Sequence, residues 1–403
     1  MAPQAQDESE AGQVDTAAKR GSDAARLVGQ GPSPGAASEP PEFLVRSAAP
    51  LNGGPAPAAQ AASFLTPNDI FFVRNHGAVP GLSPATHRIA VTGLVDSRLG
   101  LSLADLEREF ERVEICATLA CAGQRRNEMT AVAPIPGELP WGGEAVSTAL
   151  WSGWRLGDVL AAAGVMPTAA HVGFTGADLT ERRGRSFGYG ASIPLAKALS
   201  PEVVLADRMN GEPLPAAHGY PLRAVVPGYI GARQVKWLTD IELRSEPSDN
   251  YFQAVAYRLY PTWMNADTMD ASLGVELTEL EVNSLICQPE DGAVVGAGPV
   301  TVRGIAYSGG ERTVERVELS VDGGRSWTAA QIVEPPLGAQ NARFAWRIFV
   351  GEVTPRAGPD GRGEVLARAR DSAGASQPES PAAGWNFKGY MNNAWSRVRV
   401  RLR

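Results

Sequence analysis

Cys121 stands in the run Thr118-Leu119-Ala120-Cys121-Ala122-Gly123-Gln124-Arg125-Arg126-Asn127-Glu128-Met129, a thiol followed closely by paired arginines. Nearby positive charge favours the ionised thiol, and the thiolate is the soft ligand that a redox metal accepts. The ordinary role of a cysteine is a buried small hydrophobe, so charge context makes Cys121 a candidate and leaves the structural role open. Two more clusters join cations to apolar runs. Phe72-Val73-Arg74-Asn75-His76 ends an apolar stretch on Arg, Asn and His; read alone, it is a surface turn. His218-Gly219-Tyr220-Pro221-Leu222-Arg223-Ala224-Val225-Val226-Pro227-Gly228 is followed by Gly231-Ala232-Arg233-Gln234-Val235-Lys236-Trp237. Its glycines permit close backbone approach to a ligand, and its Arg and Lys suit phosphate-like oxygens. A solvated charged face explains any one of these clusters. It explains poorly why all three are embedded among apolar and glycine-rich residues. Together they describe an anion site beside a possible soft-metal ligand.

The elements that must position these residues follow from composition and pattern. The 403 residues carry a formal charge of −7, with 44% hydrophobic and 20% charged side chains, as in soluble globular proteins. A single core stops growing by about 250–300 residues, so two domains are expected. The acidic balance argues against a nucleic-acid partner. Cys116, Cys121 and Cys287 are too few for a disulfide framework, and no Cys/His spacing suggests zinc. Met1 to Asp15 is polar and acidic, unlike a secretory leader, and no stretch approaches the roughly 18 apolar residues of a membrane span. The expected location is cytoplasmic, with no membrane partner.

Residues 1–62 are rich in Ala, Pro and Gly and are expected to be a disordered head, with the peptide around Phe43 docking onto the body. Residues 63–281 mix short strands with helices, as in a mixed α+β domain. Ile70-Phe71-Phe72-Val73 and Arg88-Ile89-Ala90-Val91 read as strands. Ser102 to Phe110 reads as a helix with a Ser cap, and Arg155 to Ala163 as another, ended by Gly164. Residues 282–403 read as strands alone. Val317-Glu318-Leu319-Ser320-Val321 alternates before the turn Asp322-Gly323-Gly324, and Val365 to Ala369 and Val398 to Leu402 repeat the alternation. Such a series suggests an immunoglobulin-like sandwich.

These stretches resemble the sulfite oxidase and eukaryotic-type nitrate reductase family, from about Phe71 to the C-terminus. The Cys-Ala-Gly-x-Arg-Arg loop, the Arg-Asn-His turn and the His-Gly-x-Pro-x-Arg…Gly-Ala-Arg-x-Val-Lys-Trp segment occur in order. Tyr189-Gly190-Ala191-Ser192-Ile193-Pro194, Met209-Asn210-Gly211-Glu212-Pro213-Leu214, Trp385-Asn386-Phe387-Lys388-Gly389 and Asn393-Ala394-Trp395 extend the match. The resemblance implies one molybdenum-molybdopterin cofactor per chain, its metal bound by Cys121, and oxygen-atom transfer to sulfite. It implies pterin contacts from Phe72, Arg74, Asn75, His76, Asp178, His218, Arg223, Gln234, Val235 and Lys236. It places the oxyanion pocket at Arg74, Arg126, Trp141, Tyr257 and Lys388. The terminal sandwich implies a homodimer. No haem motif occurs, so the electron acceptor is expected to be separate: a cytochrome, a small oxidant or oxygen.

Departures bear on substrate. Lys388 stands where animal sulfite oxidases carry an arginine, which keeps the charge and loses the bidentate fork. Gln124 replaces an asparagine of the cysteine loop, and Gly389-Tyr390-Met391-Asn392-Asn393 resembles the nitrate reductase version. The alternatives are therefore a nitrate reductase-like or other oxyanion or sulfoxide enzyme, and a non-catalytic pterin-binding or assembly protein. Retention of Arg74, Arg126, Lys388 and Tyr257 favours sulfite chemistry, and retention of Cys121 disfavours the non-catalytic reading.

Overall fold

The strand carrying the cysteine loop, Arg112–Ala120, is long and apolar at its C-terminal half, and it pairs antiparallel with Val146–Arg155 along its whole length. Val204–Met209 continues this sheet and in turn pairs with Arg223–Val225, so the cysteine strand and the arginine strand share one sheet. The computed structural model describes residues 42–182, 184–338 and 341–403. The expected disorder of residues 1–41 lies outside the described residues.

A second five-stranded sheet runs Leu99–Ser102, Arg88–Gly93, Leu238–Arg244, His171–Arg182, Arg185–Pro194. Leu238–Arg244 and Arg88–Gly93 are parallel, the other pairs antiparallel. A single apolar cluster lies under both sheets and includes Ile89, Trp154, Phe174, Leu205 and Ile241. The few helices are short. Leu103–Glu109 starts on a capping box in which the Ser102 hydroxyl accepts from the Asp105 N–H and Asp105 accepts from the Ser102 N–H. Leu156–Ala163 ends at Gly164, whose φ of +71° an alanine would adopt only with strain.

From Asn283 onward two sheets form the sandwich. Asn283–Gln288, Val300–Tyr307, Arg347–Val353 and Gln331–Val333 make one. Val294–Val295, Ser396–Leu402, Arg362–Asp371, Val314–Ser320 and Thr328–Ala329 make the other. Alternate side chains meet between them, among them Val302, Val317, Phe349, Val365 and Val398. The expected α+β region followed by an all-β sandwich is the architecture observed.

Two local expectations need correction. The last part of the expected head is structured: Phe43–Ala48 and Leu51–Pro55 form a hairpin, joined by Val73–Arg74 as a third strand. Asn52, Gly53 and Gly54 are buried there, so small residues that looked unable to support a fold are used for close backbone packing. The run Ile70 to Val73 is not a strand. A turn in which Ile70 and Phe71 both donate to the Pro67 carbonyl redirects it, and only Val73–Arg74 pairs. Phe71 packs instead edge-on against Trp151 and His218.

Candidate functional site

Cys121 follows the last paired residue of its strand, and its N–H donates to the Ala145 carbonyl at 2.9 Å. The Gly123 N–H points at its sulfur, 3.4 Å away. The sulfur forms part of the wall of a cavity. All three cysteines are free and buried, but burial pushes the Cys116 and Cys287 thiols up to about 12, which suits inert core residues.

The opposite walls come from distant segments. Phe72, Arg74 and His76 enter from the strand beside the hairpin; His218, Arg223, Gln234 and Lys236 from the glycine-rich segment; Tyr257 from a later turn. A smaller adjoining cavity adds Asn75 and Asp178. Asp178 is aimed there by a register shift between Thr175 and Leu179 in the pairing of two long strands. Tyr257 follows a single π-helical turn, Phe252–Ala256, a local distortion frequent at functional sites. Its hydroxyl lies 3.0 Å from His76 Nε2.

The electrostatics are unusual for a protein interior. Desolvation pushes Arg223 down to about 9, and desolvation with repulsion from Arg223 lowers Lys236 well below its ordinary value. Desolvation, then Lys236 and Arg223, push His218 down to about 3, so its ring is neutral at neutral pH. Burial opposes the charge of Arg74, but Tyr257, Cys121, Tyr390 and Glu138 outweigh it and raise its pKa. Asp178 is the lone carboxylate lining either cavity among the described residues, and desolvation pushes it up to about 6. Buried cations without matching anions are costly unless a ligand supplies the charge.

The substituents fit an anionic, heteroatom-rich cofactor. Among the described residues, Lys236 bonds only neutral oxygens, Asn75 Oδ1 and the Ala217 carbonyl. Asn75 Nδ2 and Arg223 Nε are buried without a partner among the described residues. No group of three or more His, Cys, Asp or Glu could hold a metal among those residues, so a metal on Cys121 would need most of its ligands from a cofactor. A cysteine sulfur, stacked and polar walls, and uncompensated cations match what a pterin with a phosphate and sulfur donors requires.

Arg126, Trp141 and Lys388 do not line this cavity, and Arg126 and Lys388 form a neighbouring cluster. Arg126 donates to the Lys388 carbonyl at 3.0 Å and the Leu139 carbonyl at 2.7 Å, and its guanidinium lies 5.2 Å from the Tyr390 ring centre. Tyr390 stacks on Tyr257 at 5.3 Å, which connects the cluster to the cavity. Glycine is required on both sides of Arg126: a Cβ on Gly123 would fall 2.4 Å from its guanidinium, and one on Gly389 2.5 Å from its Cγ. Trp141 is fully buried in the apolar cluster that includes Cys121, its indole N–H unpartnered among the described residues. Val235 lies in the core, and the Gln234 amide bonds the Val226 and Tyr229 backbone, so both shape the segment rather than present side-chain donors to the cavity.

Sequence reasoning missed Tyr189, Tyr390, Glu138 and Phe71. Tyr189 lines both cavities and donates to the Ala232 carbonyl; it sat inside a recognised motif without an assigned role. Glu138 carries no sequence signal, because its partners are remote in the chain. Arg125 turns away from Cys121 altogether. Its guanidinium bonds Glu128, Asn283 and the Ala394 and Trp395 carbonyls. Asn392 donates to the Arg125 carbonyl and to Glu128, and Asn393 Nδ2 lies 3.4 Å from the Val282 carbonyl. Asn392 therefore splints the sandwich to the cysteine loop, while the Asn393 amide bonds within the sandwich.

Comparison with known proteins accords with this site. Residues 76–252 match the oxidoreductase molybdopterin binding domain, and residues 275–403 match the Mo-co oxidoreductase dimerisation domain. The chain is 43% identical to mitochondrial sulfite oxidase of Mus musculus over 90% of its own length and 66% of that protein, so it spans just under two thirds of that relative. It is 37% identical to sulfite oxidase of Arabidopsis thaliana, over 90% of this chain and 94% of that one. The crystal structure of the sulfane dehydrogenase SoxCD from Paracoccus pantotrophus superposes with a TM-score of 0.73 at 26% identity, covering 90% of this chain and 87% of that one. A cysteine-walled, cation-rich cavity in this fold, with these relatives, places the chain in the sulfite oxidase family of molybdopterin oxidoreductases.

Proposed function

We propose that this chain oxidises sulfite to sulfate by oxygen-atom transfer, using a molybdenum-molybdopterin cofactor whose metal is bound by the Cys121 thiolate. When bound, the cofactor supplies the redox centre for the transfer. The observation that carries the reading is the set of buried cations, Arg74, Arg223 and Lys236, gathered around a cavity that Cys121 and Tyr257 also line. Arg223, Lys236, His218, Asn75, Asp178 and the 234–236 backbone would hold the pterin and its phosphate. Arg74, Arg126 and Lys388 would offset the charge of an oxyanion during its desolvation. Tyr257 is raised above its ordinary pKa by burial, so it stays protonated and can donate to substrate or water, with His76 on its oxygen. Trp141 would offer its indole N–H.

The splinting bond of Asn392 and the bond of Asn393 within the sandwich remove one argument for a nitrate substrate, since both amides serve the fold. We assign residues 63–281, with the structured hairpin from residue 42, to cofactor binding, and residues 282–403 to assembly as a homodimer. A separate electron acceptor and a cytoplasmic location complete the proposal. No helix among the described residues is long and apolar enough to cross a membrane.

The test is sulfite-dependent ferricyanide reduction by purified protein, normalised to molybdenum content. Turnover on loaded protein is expected. Full molybdenum loading with no turnover would move the substrate to another oxyanion and leave the cofactor site standing.

A further inference from the structure

Glu138 faces the two cations of the anion cluster at once. Its Oε1 lies 3.4 Å from Lys388 Nζ, and its Oε2 lies 3.9 Å from Arg126 Nη2. Arg126 cannot follow a moving partner, because the Leu139 and Lys388 carbonyls and the Tyr390 face fix its guanidinium. Lys388 and Glu138 are freer: both side chains retain 19% of their exposure, which puts them at the rim of the site. Glu138 also follows Gly137, which has a φ of +79° and open space where a Cβ would be, so the acid sits on a turn at the protein surface. The influence of its charge extends inward, where it helps to raise the pKa of Arg74, Tyr257 and Tyr390.

A cluster built for an oxyanion has no evident need of a carboxylate on its cations. Like charges brought together repel, so Glu138 and an oxyanion cannot share Lys388 and Arg126 without a penalty. We infer that Glu138 is an internal competitor of the oxyanion: it neutralises Lys388 and Arg126 until an anion arrives, is displaced by it, and thereby sets the affinity for sulfite and the ease of sulfate release. The repulsion scales with ligand charge, so Glu138 disfavours a dianion about twice as much, in free energy, as a monoanion. It is therefore a specificity-determining residue, and the inference rests on the oxyanion site proposed above.

The test is direct binding of sulfate and of nitrate to molybdenum-loaded protein by calorimetry, in wild type, Glu138→Gln and Glu138→Asp. Removing the charge is expected to tighten sulfate by about tenfold and nitrate by about threefold, while the aspartate variant keeps the charge and stays near wild type. The sulfite KM should fall in parallel with the sulfate Kd. Unchanged or weaker sulfate binding in Glu138→Gln would overturn the inference and make the acid a positioning residue for Lys388. Equal tightening of both anions would overturn it as well. If Glu138→Gln loses molybdenum, the same pair of titrations on Glu138→Ala decides between these outcomes. Because binding is read without turnover, failure of sulfite oxidation in wild type would sink the proposed substrate independently of this result.

Discussion

Two buried arginines near Cys121 live in opposite environments. At the junction with the sandwich, every N–H direction of Arg125 has an acceptor: both Glu128 oxygens, Asn283, and the Ala394 and Trp395 carbonyls. In the cavity, the Arg223 guanidinium donates to the His218 and Gln234 carbonyls and lies over the Trp151 ring. Among the described residues its Nε is unpartnered, and it faces no carboxylate close enough to offset its burial. The first arrangement is complete within the chain and belongs to the fold. The second leaves a buried cation without an anion among the described residues, which is what the proposed cofactor site requires.

The largest effect should come from the sulfur between these regions. Cys121→Ser is expected to abolish sulfite oxidation while the purified protein still contains pterin; full activity would disprove the metal-ligand assignment. Next, Arg125→Ala should destabilise the protein by about 3–5 kcal/mol, since it strands Glu128 and several buried carbonyls. Denaturant unfolding of the cofactor-free protein measures this, and a change below about 1 kcal/mol would erase the distinction between the two arginines.

Arg223→Met should behave in the opposite way. Losing an unmatched buried cation should leave the cofactor-free protein as stable as wild type or up to about 2 kcal/mol more stable. The cofactor content after expression should nevertheless fall at least tenfold or so. A variant both unstable and fully loaded would assign Arg223 to the fold.

The smallest effect is a pH dependence. The folded pKa of His218 is lowered from 6.5 to about 3, so below 6.5 the unfolded chain takes up a proton that the folded one does not, and stability falls on acidification. The folded pKa of Asp178 is raised from 3.8 to about 6, so between these values the folded chain holds the extra proton, and stability falls as pH rises. Each slope is about 1.4 kcal/mol per pH unit, and they oppose each other between about pH 4 and 6. These two groups should therefore leave the cofactor-free wild type nearly level there. In His218→Gln, stability should decline as pH rises from 4 to 6; a level curve in that variant would show that Asp178 is not perturbed.

Much of the fold could be read from pattern. The capped helix at Ser102, the helix ending at Gly164 and the alternating strands at Val317, Val365 and Val398 form where local chemistry points. The run at Ile70 failed because a turn at Pro67 competes with strand pairing, and the hairpin at Phe43 was hidden because small, glycine-rich segments show no periodicity. Among site residues, Cys121, Arg74, His76, His218, Arg223 and Lys236 reach the cavity, drawn from runs whose residue types are out of place for a surface or a core. Tyr257, which only the family resemblance implied, reaches it too.

The sequence by itself determined which residues could bind a soft metal and an anionic cofactor, because thiols, guanidiniums and glycines in apolar runs carry that chemistry wherever they lie. Residue type alone could not distinguish Arg125 from Arg126, although the family resemblance assigned only Arg126 to the oxyanion pocket, and nothing in the sequence marked Glu138. Only the tertiary structure decided that one arginine is consumed by the sandwich and the other held beside Lys388 and Glu138, segments far apart in the chain. The physical reason is that the state of a buried charge depends on which partners reach it, and here those partners arrive through long-range packing.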